Sequence, residues 1–131
     1  MGGRGAFSSL LGRTGGIVNK EYSTIGKLGN IKVIQCDTKT NNPTPTYSNT
    51  ANTTYYSYSK ESGRIEHIYY YKNHRLIKSV DFKEGEIPHA HYWNKSGQVG
   101  RKKHNKNNIW PLSDRDKRLY NQATNFNKRK I

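Results

Sequence analysis

The chain has one cysteine, Cys36, in 131 residues. An internal disulfide is therefore excluded, and so is any metal knuckle built on paired cysteines. Cys36 ends the apolar run Ile-Lys-Val-Ile-Gln-Cys and reads as a small buried hydrophobe rather than a nucleophile. Acidic residues are scarce: 9 Asp and Glu stand against 23 Lys and Arg, a formal net charge of +14. Apolar runs are short as well. None approaches the ~20 residues of a spanning helix, and the basic residues do not line one face of an apolar helix. Of the polyanions that such a charge attracts, nucleic acid is therefore expected and a membrane surface is not. No apolar stretch follows Arg4 to form a secretory leader, so the expected location is the cytoplasm. Aliphatic side chains are also few, with 31% hydrophobic residues and a mean hydropathy of −1.05. Ten tyrosines compensate in part, because each ring buries a large apolar area and keeps a polar tip.

What is present is unevenly spread. Glycines 2, 3, 5, 12, 15 and 16 crowd the start, which predicts a flexible segment over residues 1–30 and a single α+β domain over 31–131. Residues 31–36 read as a short buried strand after the turn formers Gly29-Asn30. Residues 37–52, rich in Thr and Asn and holding Pro43 and Pro45, read as a loop. Three strands are predicted over 53–59, 64–72 and 75–82, with turns at Lys60-Glu61-Ser62-Gly63 and Asn73-His74. Counting outward from that last turn sets Tyr70 opposite Ile77, Ile68 opposite Ser79 and Glu66 opposite Asp81. One face then carries Ile65, His67, Tyr69, Tyr71, Leu76, Lys78, Val80 and Phe82, and a slip of one residue would exchange the faces. Residues 113–127 read as a helix, with Ser113 as N-cap, Asp114 and Asp116 at its positive end, and Leu119, Ala123 and Phe126 as a narrow apolar stripe. The expected fold is a small antiparallel sheet of three to five strands packed by that C-terminal helix.

Candidate chemistry concentrates after the third strand. His89 and His91 are flanked by Tyr92 and Trp93, and Arg101, Lys102, Lys103, His104 and Lys106 follow. In an extended segment the two rings of His-x-His point to one side. Three readings stay open: a metal site still short of two ligands, loop histidines packed on Tyr92 and Trp93, or an acid–base pair. The last suits RNA cleavage, which needs a base for the 2′-hydroxyl, an acid for the leaving 5′-oxygen and cations for the charge on phosphorus. His89, His91 and His104 with Arg101, Lys102, Lys103 and Lys106 supply those parts, and no cofactor is then expected. His67 reads as a packed core histidine and His74 as an exposed turn residue. The strand tyrosines read either as core or as platforms for unpaired bases. Tyr92, Trp93, Lys128, Arg129 and Lys130 complete the candidate nucleic-acid contacts.

The order Arg64-Ile65, Ile68, Tyr70-Tyr71, a polar turn, Val80-Asp81-Phe82, then Pro88-His89-Ala90-His91-Tyr92-Trp93 resembles the compact C-terminal domains of bacterial polymorphic toxins and their phage-borne relatives. Several such domains are ribonuclease-like, of the barnase/EndoU/colicin/RelE type. The resemblance covers about residues 64–93 and implies a small twisted sheet with Asp81, His89 and His91 as site residues and Trp93 beside them. The opening Gly-Gly-Arg-Gly-Ala-Phe-Ser-Ser is similar to the start of small phage head-region proteins. The expectation is a phage or mobile-element protein that engages RNA and cleaves it without metal. Also open are a non-enzymatic binder of nucleic acid, such as an inhibitor of a host nucleoprotein complex or a packaging accessory, and a virion-associated component.

Overall fold

The computed structural model describes residues 4–11, 17–36, 44–93 and 109–129. They form eight strands and one helix: β1 Arg4–Leu11, β2 Ile17–Leu28, β3 Ile31–Cys36, β4 Tyr47–Ser48, β5 Thr53–Ser59, β6 Arg64–Lys72, β7 Arg75–Asp81, β8 His89–Tyr92 and α1 Asp114–Arg129. The strands make one sheet in the order β4-β1-β2-β3-β5-β6-β7-β8, and β4 also pairs with β7. The sheet therefore curls until the two-residue strand β4 bridges β1 and β7. Among the described residues no helix is long and apolar enough to cross a membrane.

An α+β architecture with a C-terminal helix is what the sequence predicts, but the sheet is larger and not strictly antiparallel. Its β3–β5 pair is parallel. Parallel neighbours need a crossover, and residues 37–52 provide it. That stretch, expected to be loop, delivers β4 on the way. Residues before 31 contribute strands as well, since β2 pairs with both β1 and β3. Glycine-rich composition hid strands whose partners lie elsewhere in the chain.

Bulges cause the curl. The pairing skips Gly5 in β1, Ile25 in β2, Glu66 in β6 and Ile77 in β7. Each extra residue bends its strand and increases the local twist. The Asn73-His74 turn is as expected, with both residues at positive φ (51° and 67°), the geometry of a type I′ hairpin. His74 also braces the closure: its backbone N–H donates to Ala51 O at 2.8 Å, and its Nδ1 lies 2.9 Å from Ser48 O.

Two cores result. Tyr22, Ile34, Cys36, Tyr55, Tyr69, Tyr71 and Leu76 fill the concave side, with Trp93 packed against them. Their hydroxyls find partners: Tyr55 pairs with Ser48 Oγ at 3.1 Å, and Tyr71 donates to Pro45 O at 2.5 Å. Val33, Tyr56, Ile65, Ile68, Val80, Phe82 and Ala90 form the convex side, which α1 covers with Leu119, Ala123 and Phe126. The expected apolar stripe is thus the docking face. Asn127 fastens the far end of the helix, its side-chain amide exchanging hydrogen bonds with Ile65 N and O at 2.8 and 3.0 Å.

The near end is held by a buried carboxylate. Ser113 caps α1 by accepting from Asp116 N (3.2 Å), and Asp116 returns the contact by accepting from Ser113 N (3.0 Å). Asp116 is only 1% exposed and also accepts from Lys78 Nζ at 2.6 Å and Tyr70 Oη at 2.5 Å. Burial pushes its carboxyl up, but the bonds from Lys78, Tyr70 and Ser113 outweigh it and hold the group below the ordinary carboxylate value. The stability this gives is fully present above the unfolded value of about 3.9 and is lost as pH falls through the lower folded value. Asp116→Asn is expected to destabilise the protein by about 1–3 kcal/mol at pH 7. In urea unfolding the gap between wild type and variant should close as pH falls below about 4. A gap that stays constant down to pH 2 would mean that the charge of Asp116 contributes nothing.

Candidate functional site

Directly opposed residues of neighbouring strands share a face of the sheet. On the concave face the pairing sets Ser57, His67, Asp81 and His89 in one row across β5 to β8. The adjacent row is Tyr55, Tyr69, Ser79 and His91. Three histidines and one carboxylate therefore meet where these rows end. The i, i+2 spacing of His89 and His91 puts both on this face, as expected.

Asp81 is there because of the bulge. Regular alternation from the hairpin would keep Glu66 opposite Asp81 and Ile68 opposite Ser79. Instead Tyr71 pairs with Leu76, Tyr70 pairs with Lys78, and Ile77 has no counterpart. The extra residue shifts every later pair by one, so Asp81 faces His67 and Ile68 faces Val80. Face membership is corrected with it. Lys78 and Val80 turn to the helix side, while Ser79 and Asp81 turn inward. The Glu66 bulge likewise moves Ile65 to the helix side. The carbonyls of both bulged residues are bonded, Ile77 O accepting from Trp93 N and Glu66 O from Phe82 N, each at 3.0 Å.

The cluster is tight. His89 Nε2 lies 3.1 Å from His91 Nε2. Asp81 Oδ2 lies 3.1 Å from His91 Nε2 and 3.7 Å from His89 Nε2. The second carboxylate oxygen faces His67 Nε2 at 3.6 Å. His89 Nδ1 sits 2.7 Å from Ile87 O, a contact that requires the proton on Nδ1 and leaves the lone pair of the neutral ring on Nε2. His91 is 3% exposed. His67 stacks on Tyr69 with ring centroids 5.3 Å apart, and burial lowers its pKa against the pull of Asp81 and Glu66. Burial pushes the Asp81 carboxyl up. The His91 hydrogen bond and the charges of His67, His91 and His89 outweigh that and hold it below its ordinary value. Among the described residues, Asp81, His89 and His91 also form a group that could hold a metal ion, one ligand atom each.

The other predicted site residues do not gather at one place. Trp93 stays with the concave core and donates from Nε1 to Ser79 Oγ at 3.0 Å. Tyr92 points to the opposite face, where its ring meets Trp110 edge-on at 5.6 Å. There Tyr70, Ile77, Lys78, Tyr92, Ser113, Arg115 and Asp116 line a groove of about 350 Å³. Arg115 lies 5.5 Å over the Tyr70 ring, and Lys78 lies 5.5 Å over both Tyr70 and Tyr92. Lys128 and Arg129 are exposed in the last turn of α1, beside Asn127 and hence near Ile65. Arg101, Lys102, Lys103, His104, Lys106 and Lys130 lie outside the described residues. His67 is the member that sequence reasoning missed. Only its partner across the strands reveals it, and that partner depends on the bulge.

Comparison with protein-family models, curated proteins and solved structures finds no match to this chain.

The bulge depends on the backbone of Ile77 rather than on its side chain. Ile77 is 41% exposed, so Ile77→Ala should cost no more than about 1 kcal/mol. Deleting Ile77 would set Lys78 directly after Leu76 in unbroken alternation and keep Asp81 on the concave face, so the loss is that of the bend and of the Ile77 O–Trp93 N bond, and should be about 1–3 kcal/mol. Unfolding midpoints of the two variants in urea decide this. Similar, small losses in both would show that the bulge is dispensable.

Proposed function

We propose that the protein binds RNA and cleaves it at the concave cluster, as a phage-borne relative of toxin ribonucleases would. The observation that carries this reading is the meeting of two imidazole Nε2 atoms, 3.1 Å apart, over one carboxylate oxygen. His89 is fixed as the base, because Ile87 O claims its Nδ1 proton and Nε2 is left to accept one. In cleavage, Nε2 takes the proton of the 2′-hydroxyl, the 2′-oxygen attacks the adjacent phosphorus, and the 5′-oxygen leaves with a proton from a second donor. Asp81, whose Oδ2 lies 3.7 Å from that Nε2, stabilises the imidazolium that forms through its charge.

The close approach also refines the division of labour. Entering and leaving oxygens of an in-line displacement stand on opposite sides of phosphorus. Two nitrogens 3.1 Å apart serve the same side. His89 and His91 therefore act together on the nucleophile, and the acid is supplied by solvent or by His104.

The net charge of +14 supports a polyanionic substrate. So does the tethering of the basic stretch that holds Arg101, Lys102, Lys103 and Lys106. It leaves the described structure at Trp93 and rejoins it at Ile109-Trp110, where Trp110 and Ala90 exchange backbone hydrogen bonds of 2.8 and 2.9 Å. Both ends are thus anchored on the strand that carries the histidines. A second reading, binding without cleavage, is favoured by the groove on the opposite face. Its Tyr92 and Trp110 rings are 49% and 48% exposed beside Lys78 and Arg115, a setting suited to stacked bases.

End-labelled RNA, incubated with and without EDTA, tests both. Wild type should yield 2′,3′-cyclic phosphate ends. His89→Gln should slow cleavage by about 10²–10⁴-fold while leaving affinity within about twofold, whereas Tyr92→Ala should weaken affinity by about 1–3 kcal/mol. RNA left intact in both buffers, with a gel shift that weakens steeply as salt rises, would replace the enzyme with a binding protein.

A further inference from the structure

We propose that Asp81, His89 and His91 form a binding site for one divalent transition metal of the zinc type, with three protein ligands and an open position. This rests on the reading of the concave cluster as the functional site, but not on RNA as the substrate.

The argument starts from size. The three facing atoms, Asp81 Oδ2, His89 Nε2 and His91 Nε2, are separated by 3.1, 3.1 and 3.7 Å. Ligands bound to zinc at about 2.0–2.1 Å in tetrahedral array stand about 3.3–3.4 Å apart. The triangle brackets that edge, and a point about 2 Å from all three atoms exists just above its plane. No ligand has to move.

The second argument is chemical. His89 Nε2 and Asp81 Oδ2 are electron-pair donors as the structure holds them, and His91 Nε2 becomes one when a metal displaces the proton it shares with Asp81. His89 is held by Ile87 O in the tautomer that presents its lone pair, which is the outer support that metal-bound histidines ordinarily have. Asp81 offers Oδ2 to the triangle and turns Oδ1 toward His67, so His67 positions the carboxylate from behind. One shared proton can bond the His91 nitrogen to a neighbour, but only a cation satisfies all three donors at once. Two imidazoles and one carboxylate suit zinc, cobalt or nickel better than magnesium or calcium, which prefer all-oxygen shells.

The third argument is rigidity. All three ligands stand on paired strands, and Asp81–His89 and Ser79–His91 are direct cross-strand pairs. The absence of a fourth protein ligand among the described residues, which weighs against a structural zinc site, is the normal state of a catalytic one, where water or substrate takes the open position. Such a metal would replace His89 as the group that activates the attacking oxygen, because a ligated Nε2 has no lone pair left to take a proton, and would do so by lowering the pKa of that oxygen.

The test uses full-length chain stripped with EDTA, then titrated with Zn²⁺ by calorimetry and with Co²⁺ by absorption, in the absence of nucleic acid. One metal per chain is expected, with the visible bands of four- or five-coordinate cobalt displaced by zinc. His89→Gln and Asp81→Asn should each weaken binding by more than the roughly 10–100-fold that a supporting residue costs. Glu84→Gln, an exposed carboxylate outside the cluster, should bind as wild type does. If a ligand variant fails to fold, the wild-type cobalt titration still decides. No saturable one-to-one signal, or equal affinity in wild type and folded ligand variants, overturns the site. Metal binding without RNA cleavage would sink the ribonuclease reading alone, and cleavage without metal binding would sink the metal alone.

Discussion

The single extra residue in β7, Ile77, governs both faces of this protein. Side chains of a strand alternate with period two, so a bulged residue that drops out of the alternation exchanges the faces that regular counting assigns to everything beyond it. Upstream, Leu76 is in the concave core. Downstream, Lys78 reaches the helix at Asp116 and Asp81 reaches the histidines. Helix docking and site assembly are therefore two consequences of one register shift. The bulge is held in place because its carbonyl accepts from Trp93 N at the end of β8, the strand that brings the two other members of the cluster.

Tyrosine makes this possible in a chain so poor in aliphatic residues. A sheet with two buried faces ordinarily needs near-continuous aliphatic strands. Here Tyr55, Tyr69 and Tyr71 fill the concave side and Tyr56, Tyr70 and Tyr58 the convex one. The hydroxyls then have to be placed, and they serve as joints. Tyr56 reaches the helix at Leu119 O, Tyr70 reaches Asp116, and Tyr71 reaches Pro45 O in the crossover before β4. Burial raises the pKa of Tyr56, Tyr70 and Tyr71, which keeps these hydroxyls protonated as donors. The tyrosines are thus core and fasteners together, and the exposed rings are fewer than composition implies.

The concave cluster inverts the economy of the rest of the molecule. Elsewhere among the described residues the buried side-chain polar atoms pair donor with acceptor, Thr24 Oγ1 excepted. At Asp81, His89 and His91 two ring nitrogens and one carboxylate oxygen crowd together, with His91 bonded to the carboxylate and His67 behind it. Such an arrangement is costly without a proton or a cation to hold it together, and costly arrangements concentrate where chemistry is done. The opposite face offers the Tyr70, Tyr92 and Trp110 rings beside Lys78 and Arg115, with the Asp116 carboxylate already bonded to Lys78 and Tyr70. The two faces thus separate the histidine cluster from the aromatic groove along one strand, β8.

Much of the architecture was legible in local sequence. The strands β3, β5, β6 and β7, the Asn73-His74 turn, the Ser113 cap and the apolar stripe of α1 all follow from near neighbours, because strand alternation, turn chemistry and capping act within a few residues. The His-x-His spacing likewise determined that both rings share a face. Residues far apart in the chain decided the remainder. The parallel β3–β5 pair, the closing strand β4 and the strands before residue 31 rest on long-range pairing, which composition does not encode. The Ile77 bulge is invisible to periodicity, since an apolar residue at that position fits either register. Only once β6, β7 and β8 lie side by side does the extra residue turn Asp81 toward His67, His89 and His91. The sequence alone therefore determined the residue types of the site, and the tertiary register decided which of them meet.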